Sequence, residues 1–159
     1  FYEDNAIGTE LLFRAKRIAY INEAMYFYLQ NPDSTVHTIS EAKCNDRMEA
    51  MRIMIEMAKE RNYLDDYYEE LEYKFINLFY QNTLFSYMRG KQKKKLSFIR
   101  NMGKEMKKYF PDFMDNKYYI EKVNEEERFL MSLQQKSTLL FWVYYRLLWI
   151  YRRIRYGMK

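Results

Sequence analysis

The sequence predicts a mainly α-helical chain: an incomplete α/β end of one helix and two strands, followed by an antiparallel helical array. Three observations carry this expectation. Turn formers are scarce, with 4 Gly and 2 Pro in 159 residues, while Met (11), Tyr (17) and Phe (11) are abundant; few breakers and many helix-compatible residues favour long helices over an all-β fold. Beyond residue 38 the apolar residues recur at steps of three and four, the period of a half-buried helix. Before residue 38 two short runs are instead aromatic or alternating, which is strand-like. The expected domains are therefore 1–38 and 39–159.

Residues 5–16 read as a short helix with Asp4 or Asn5 as its cap. Arg17-Ile18-Ala19-Tyr20-Ile21 alternates as a strand, Asn22-Glu23 turns the chain, and Met25-Tyr26-Phe27-Tyr28-Leu29 reads as a second strand buried on both faces. Two strands form a marginal hairpin by themselves, so they call for a larger sheet than this chain supplies. Phe1-Tyr2-Glu3-Asp4 also reads like the middle of a longer polypeptide, and a fragment is expected. Gln30 to His37 is a loop marked by Asn31-Pro32-Asp33-Ser34.

Thr38 followed by Glu41 is a capping box opening a helix over about 39–61, with Cys44, Met48, Met51, Ile55 and Ala58 on one face. The next helix spans about 64–89, its face formed by Leu64, Tyr68, Leu71, Phe75, Leu78 and Phe85, and Gly90 stops it. Lys91-Gln92-Lys93-Lys94-Lys95 is a charged connector. Leu96, Ile99, Met106 and Phe110 mark a helix that Pro111 ends. A polar helix is expected over about 116–134, with Tyr119, Val123 and Leu130 as its thin apolar stripe, and a last one, capped by Ser137 or Thr138, running to about Tyr156. Short loops suit antiparallel neighbours.

At 48% hydrophobic and 19% aromatic, the chain is not disordered. A net charge of +5 and a pI of about 9.1 admit nucleic acid, an anionic membrane or a phosphorylated substrate without choosing among them. A helix-turn-helix signature and the base-aromatic interleaving of single-strand binders are both missing, so nucleic acid is not an expected partner. Cys44 is the one cysteine, which excludes an internal disulfide and a cysteine metal site and fits a reducing cytoplasm.

The adjacent carboxylates Glu3 and Asp4 admit two readings. Before a helix, capping and complementing the helix dipole explain them. Yet Phe1-Tyr2-Glu3-Asp4-Asn5, the helix through Leu11-Leu12, the run Ala15-Lys16-Arg17-Ile18-Ala19-Tyr20-Ile21, the aromatics Tyr26-Phe27-Tyr28 and a loop carrying Ser34 form an ordered series. That series resembles the end of the catalytic domain of bacterial family 2 glycosyltransferases, which have the GT-A fold. The resemblance covers residues 1–37, and residues 39–159 look like the variable helical tails of polysaccharide-assembly members. It implies an inverting, nucleotide-sugar-dependent transferase acting on a glycan or lipid-linked acceptor, with Asp4 as general base and Glu3 orienting it or shaping the acceptor site. It further implies Gln30 and Ser34 at the donor diphosphate or the acceptor, and His37 in the shell of a divalent metal, Mn²⁺ or Mg²⁺. Without the resemblance, Gln30 and Ser34 are turn residues and His37 an exposed loop histidine. The family's Asp-x-Asp motif lies upstream of the Glu-Asp pair, and Asp65-Asp66 and Asp112–Asp115 stand in the wrong context for it. The donor site and metal are therefore expected outside this chain.

The last segment combines an aromatic-apolar block, Leu139 to Tyr151, with Arg146 inside it and Arg152, Arg153 and Arg155 after it; no acidic residue follows Glu127. The block is shorter than the ~20 residues of a membrane span. Trp142 and Trp149 beside these arginines have an interfacial composition, so an anionic membrane surface is one expected partner and a buried helix the other reading. The expected location is cytoplasmic, on the inner face of the cell membrane. The alternative functional class is a non-enzymatic helical module that binds membranes or proteins.

Overall fold

A computed structural model describes residues 2–27 and 39–157, and among these the chain is all-α with no strand. The order is α1 (Glu3–Arg14), α2 (Glu41–Glu60), α3 (Tyr68–Phe75), a π-helical turn (Ile76–Gln81), α4 (Asn82–Arg89), α5 (Leu96–Tyr109), a 3-10 turn (Phe113–Asp115), α6 (Lys117–Lys122), α7 (Glu125–Lys136) and α8 (Thr138–Tyr156).

The strands expected at 17–21 and 25–29 are absent from the described residues, and with them the α/β end of a GT-A domain. Residues 15–27 run on without helix or ladder. Ile18, Tyr20, Ile21, Met25, Tyr26 and Phe27 are all exposed, Phe27 at 93%. Alternation makes a strand only where a neighbouring strand takes up its backbone groups and a second layer covers one face. Here the core is closed by helices alone. Tyr28 and Leu29 of the second expected strand lie outside the described residues, as do Gln30, Ser34, His37 and Thr38.

Helix α2 starts where Ser40 accepts the amide of Lys43 at 3.2 Å. It buries Cys44, Met48, Met51, Ile55 and Ala58, the face its spacing predicts, and packs against α1, α3, the π turn and α4. Residues 68–89 form one long helix with a widened turn in its middle. The widening has a cause in the sequence. Buried positions fall every fourth residue, at Leu71, Phe75, Phe79, Thr83 and Tyr87, and again at Glu72, Ile76, Tyr80, Leu84 and Met88. In a pure α-helix each four-residue step drifts about 40°, so four steps would turn the last residue about 160° away from the first. The π turn, holding one residue more than an α turn, takes up about 100° of that drift. Just past it, Thr83 of α4 donates its hydroxyl back to the Leu78 carbonyl at 2.8 Å.

The polar segment expected as one helix is two. Asn116 caps α6, accepting the amides of Tyr118 and Tyr119 at 3.0 Å, and Asn124 caps α7, accepting Glu127 N–H at 2.9 Å. Asn116 is itself buried and ties α6 to α3, donating to the Glu69 carbonyl at 2.9 Å and to Glu72 Oε2 at 2.8 Å. Burial holds the Glu72 carboxyl above the usual glutamate range, against the Asn116 hydrogen bond.

Helices α5, α7 and α8 pack on one another around Gln134. Its amide donates to the Ile99 carbonyl at 3.0 Å and to Thr138 at 3.3 Å, and accepts from the Tyr80 hydroxyl. Gly103 makes room for it: a Cβ there would lie 2.4 Å from Gln134 Oε1. Phe75, Phe79, Phe110, Phe113, Tyr80 and Phe141 fill the centre, with Phe75 stacked on Phe79 at 4.3 Å.

Candidate functional site

Helix α1 carries Glu3 and Asp4 in its first turn, and Tyr2 rather than either carboxylate stands at the N-cap, in a left-handed conformation (φ 67°) with no side-chain cap. Asp4 is exposed. Its Oδ1 accepts from the Asn5 backbone N–H at 2.8 Å and from Asn5 Nδ2 at 3.4 Å. Glu3 is exposed on the same turn.

Four side-chain contacts seat α1. Arg47 of α2 donates to the Tyr2 hydroxyl at 2.8 Å and places its guanidinium 4.8 Å from the ring centroid. Lys74 of α3 donates to Thr9 Oγ1 at 2.7 Å. Glu10 pairs with Arg61 at 3.2 Å and Arg14 at 2.6 Å. Phe13 packs on Tyr63 and Tyr67, with ring centroids 4.4 and 5.1 Å away. Burial pushes the Lys74 ammonium down from its ordinary range, and the charge of Asp4 partly restores it. A half-buried cation from a distant helix therefore faces the first turn of α1. Sequence reasoning missed Lys74, Arg47 and Thr9, because partners 45 and 65 positions apart leave no local pattern. The result is a solvent-open carboxylate on a backbone anchored by other elements.

The described residues include no group of three or more His, Cys, Asp or Glu placed to hold a metal ion. His37, Gln30 and Ser34 lie outside the described residues.

Helix α8 has two unlike faces. Phe141 and Tyr145 are buried, and Trp142, Leu148 and Trp149 pack partly against the core. On the other side Leu140, Tyr144, Leu147, Tyr151 and Ile154, at steps of four and three, form an exposed stripe. The two tryptophans are therefore half-buried against the core, where they also line an open groove, and the outward stripe consists of other residues. Arg146 lies 5.0 Å over Trp142 and Arg152 5.9 Å over Trp149. Arg152 also pairs with Glu126 of α7, an acid that precedes it in sequence and meets it only through the α7–α8 hairpin. Arg155 sits by the rings of Tyr151 and Tyr156, 5.7 and 5.5 Å from their centroids. Arg153 is exposed. Between α8 and the connector after α4 lies an open groove of about 560 Å³. No helix among the described residues is long and apolar enough to cross a membrane.

No protein family, curated protein or solved structure matches this chain.

Proposed function

We propose that this chain supplies the acceptor side of an inverting, nucleotide-sugar-dependent glycosyltransferase of bacterial cell-surface polysaccharide synthesis, with Asp4 as its general base. The observation that carries the proposal is the placement of Asp4. It is exposed on the first turn of a helix that Arg47, Lys74 and Arg61 hold from outside, two positions past the N-cap, where its charge also complements the helix dipole. The sequence series from Phe1 to Ser34 resembles family 2 glycosyltransferases in residue order alone, since the strands the resemblance implies are absent from the described residues. In the reaction, Asp4 takes the proton of an acceptor hydroxyl as that oxygen attacks the anomeric carbon. The bond to the nucleotide diphosphate breaks on the opposite face, and the anomeric centre inverts. Glu3 lines the acceptor side. The nucleotide sugar is bound by elements outside this chain, and the acceptor is a glycan or a lipid-linked glycan.

The test is Asp4→Asn in the polypeptide that joins this chain to its donor-binding half. Donor affinity and melting temperature should hold while transfer falls about 10²–10⁴-fold, the usual loss for a general base. Near-normal transfer by the Asn variant would remove Asp4 from the chemistry. The chain alone, titrated calorimetrically with UDP- and GDP-sugars and Mn²⁺, should give no saturable heat; micromolar binding would place the donor site within it.

The exposed stripe of α8 favours a second reading that is compatible with the first. Leu140, Tyr144, Leu147, Tyr151 and Ile154 face away from the core, with Arg155 over the Tyr151 ring beside them. Such a face suits a protein lying on the inner leaflet of the cell membrane, its apolar stripe in the acyl boundary and Arg155 among anionic headgroups. Without transfer activity, this face would make the chain a helical membrane- or protein-binding module.

A further inference from the structure

The groove between α8 and the connector after α4 is built unlike the stripe. Its apolar wall is Trp142, Trp149, Ile150 and Met88, and its rim carries Lys91, Lys93, Arg146 and Arg153; no carboxylate lines it. Among the described residues none of these four cations is in an ion pair, whereas the neighbouring Lys95 is held by Glu41 at 3.0 Å and Arg152 by Glu126. The connector is ordered from beneath. Lys94 donates to the carbonyls of Gly90 and Gln92, Gln92 Nε2 donates to the Tyr87 carbonyl at 3.2 Å, and Lys95 N–H donates to the Tyr87 hydroxyl at 2.9 Å. Four unneutralised cations held around an apolar wall repel one another, and an anion entering between them relieves that repulsion. Inorganic phosphate alone would leave the indoles and Ile150 uncovered, while an uncharged hydrocarbon would leave the cations unmatched.

We infer that this groove binds a phosphate or diphosphate ester of an apolar alcohol, its phosphoryl oxygens between Lys91, Lys93, Arg146 and Arg153 and its hydrocarbon against Trp142 and Trp149. The site shares no residue with Asp4 and does not depend on the transferase reading. Arg146 and Arg153, about two turns apart along α8, meet one end of the phosphoryl group, and the connector lysines close over the other.

Trp142 and Trp149 are the two tryptophans of the chain, and both line the groove. Intrinsic fluorescence of the full chain therefore reads this site. Farnesyl diphosphate, kept below its micellar concentration, should give a saturable change. Farnesol should give none, and pyrophosphate and UDP should bind at least tenfold more weakly. The variant Lys91→Gln/Lys93→Gln/Arg146→Gln/Arg153→Gln should lose affinity at least tenfold with its melting temperature unchanged, because these residues touch solvent. Phosphatidylglycerol vesicles at equal phosphate form the last arm: competition identifies the natural source as a membrane headgroup, and lack of competition as a free ester. An unsaturable response to farnesyl diphosphate, an equal response to farnesol or to UDP, or undiminished affinity in the quadruple variant would overturn the assignment.

Discussion

Replacing Leu147 and Ile154 by Gln separates the two faces of α8. Both residues lie on the outward stripe, 60% and 80% exposed, so the fold itself gains little from them. Gln is as good a helix former as Leu and better than Ile, and the melting temperature should stay within about a degree or two, as for surface changes of under ~0.5 kcal/mol. Membrane association should respond strongly. Full burial of either side chain is worth about 1.5–3 kcal/mol. Scaled by the exposed fractions, the two together contribute about 3 kcal/mol, or roughly two orders of magnitude in partitioning. The assay is liposome flotation on phosphatidylglycerol–phosphatidylcholine vesicles at low salt, beside a thermal melt. The native chain should float and the double variant should not. Equal flotation of the two proteins, or failure of the native chain to float at all, would refute the stripe as a membrane-facing surface. A large drop in melting temperature would show that the stripe is covered within the fold after all.

Removing α8 at Lys136, by contrast, should lower the melting temperature sharply, since Phe141 is fully buried and a Phe→Ala change in a core alone costs about 3–5 kcal/mol; a truncated chain that melts like the native one would refute its core role. Gly103→Ala should destabilise the chain by about 1–3 kcal/mol: the helix-propensity gain of about 1 kcal/mol is outweighed when the new methyl displaces Gln134 from Ile99 and Tyr80 and leaves buried groups unmatched. In a Gln134→Ala background the same change should instead stabilise, and denaturant melts of the four proteins decide. Glu72→Gln should raise the melting temperature at neutral pH. A carboxyl whose folded pKa is raised stabilises the fold below the ordinary glutamate range and loses that contribution as pH rises through its folded value. The gain from Gln should therefore shrink as pH falls through the raised folded value toward about 4.5 and stay flat below it, and a pH-independent gain would refute the assignment.

The helical half was legible because its apolar spacing is regular. Cys44, Met48, Met51, Ile55 and Ala58 are buried together, and Ser137 caps α8, accepting Leu140 N–H at 3.3 Å. The segment 17–27 was misread because alternation records only a local pattern, while strand formation depends on partners elsewhere. The split between α6 and α7 was written in Asn116 and Asn124, two N-cap residues that a thin apolar stripe concealed. The faces of Trp142 and Trp149 could not be told from composition. Aromatic residues beside arginine suit both a bilayer surface and a cation-π pair against a core, and only the positions of α5 and α7 decide. For the same reason Glu126 went unseen as the partner of Arg152, and Lys74 as the neighbour of Asp4. The Glu3-Asp4 pair was visible at once, yet its separation from the cap depended on the left-handed Tyr2.

The widened turn at Ile76–Gln81 gives that segment a tolerance to length that the α-helical stretches beside it lack. A chain one residue shorter there could close into an unbroken α-helix without losing a backbone hydrogen bond. The π turn holds one residue more than an α turn over nearly the same rotation, so everything from Asn82 to Gly90 would keep its orientation. Leu84, Tyr87 and Met88 would hold their places in the core, and Gly90 to Lys94, which hang from Tyr87, their place beside α8. The same deletion within Asn82–Arg89 would instead swing all that follows it by about 100° and be felt at the groove, several residues from the deleted position.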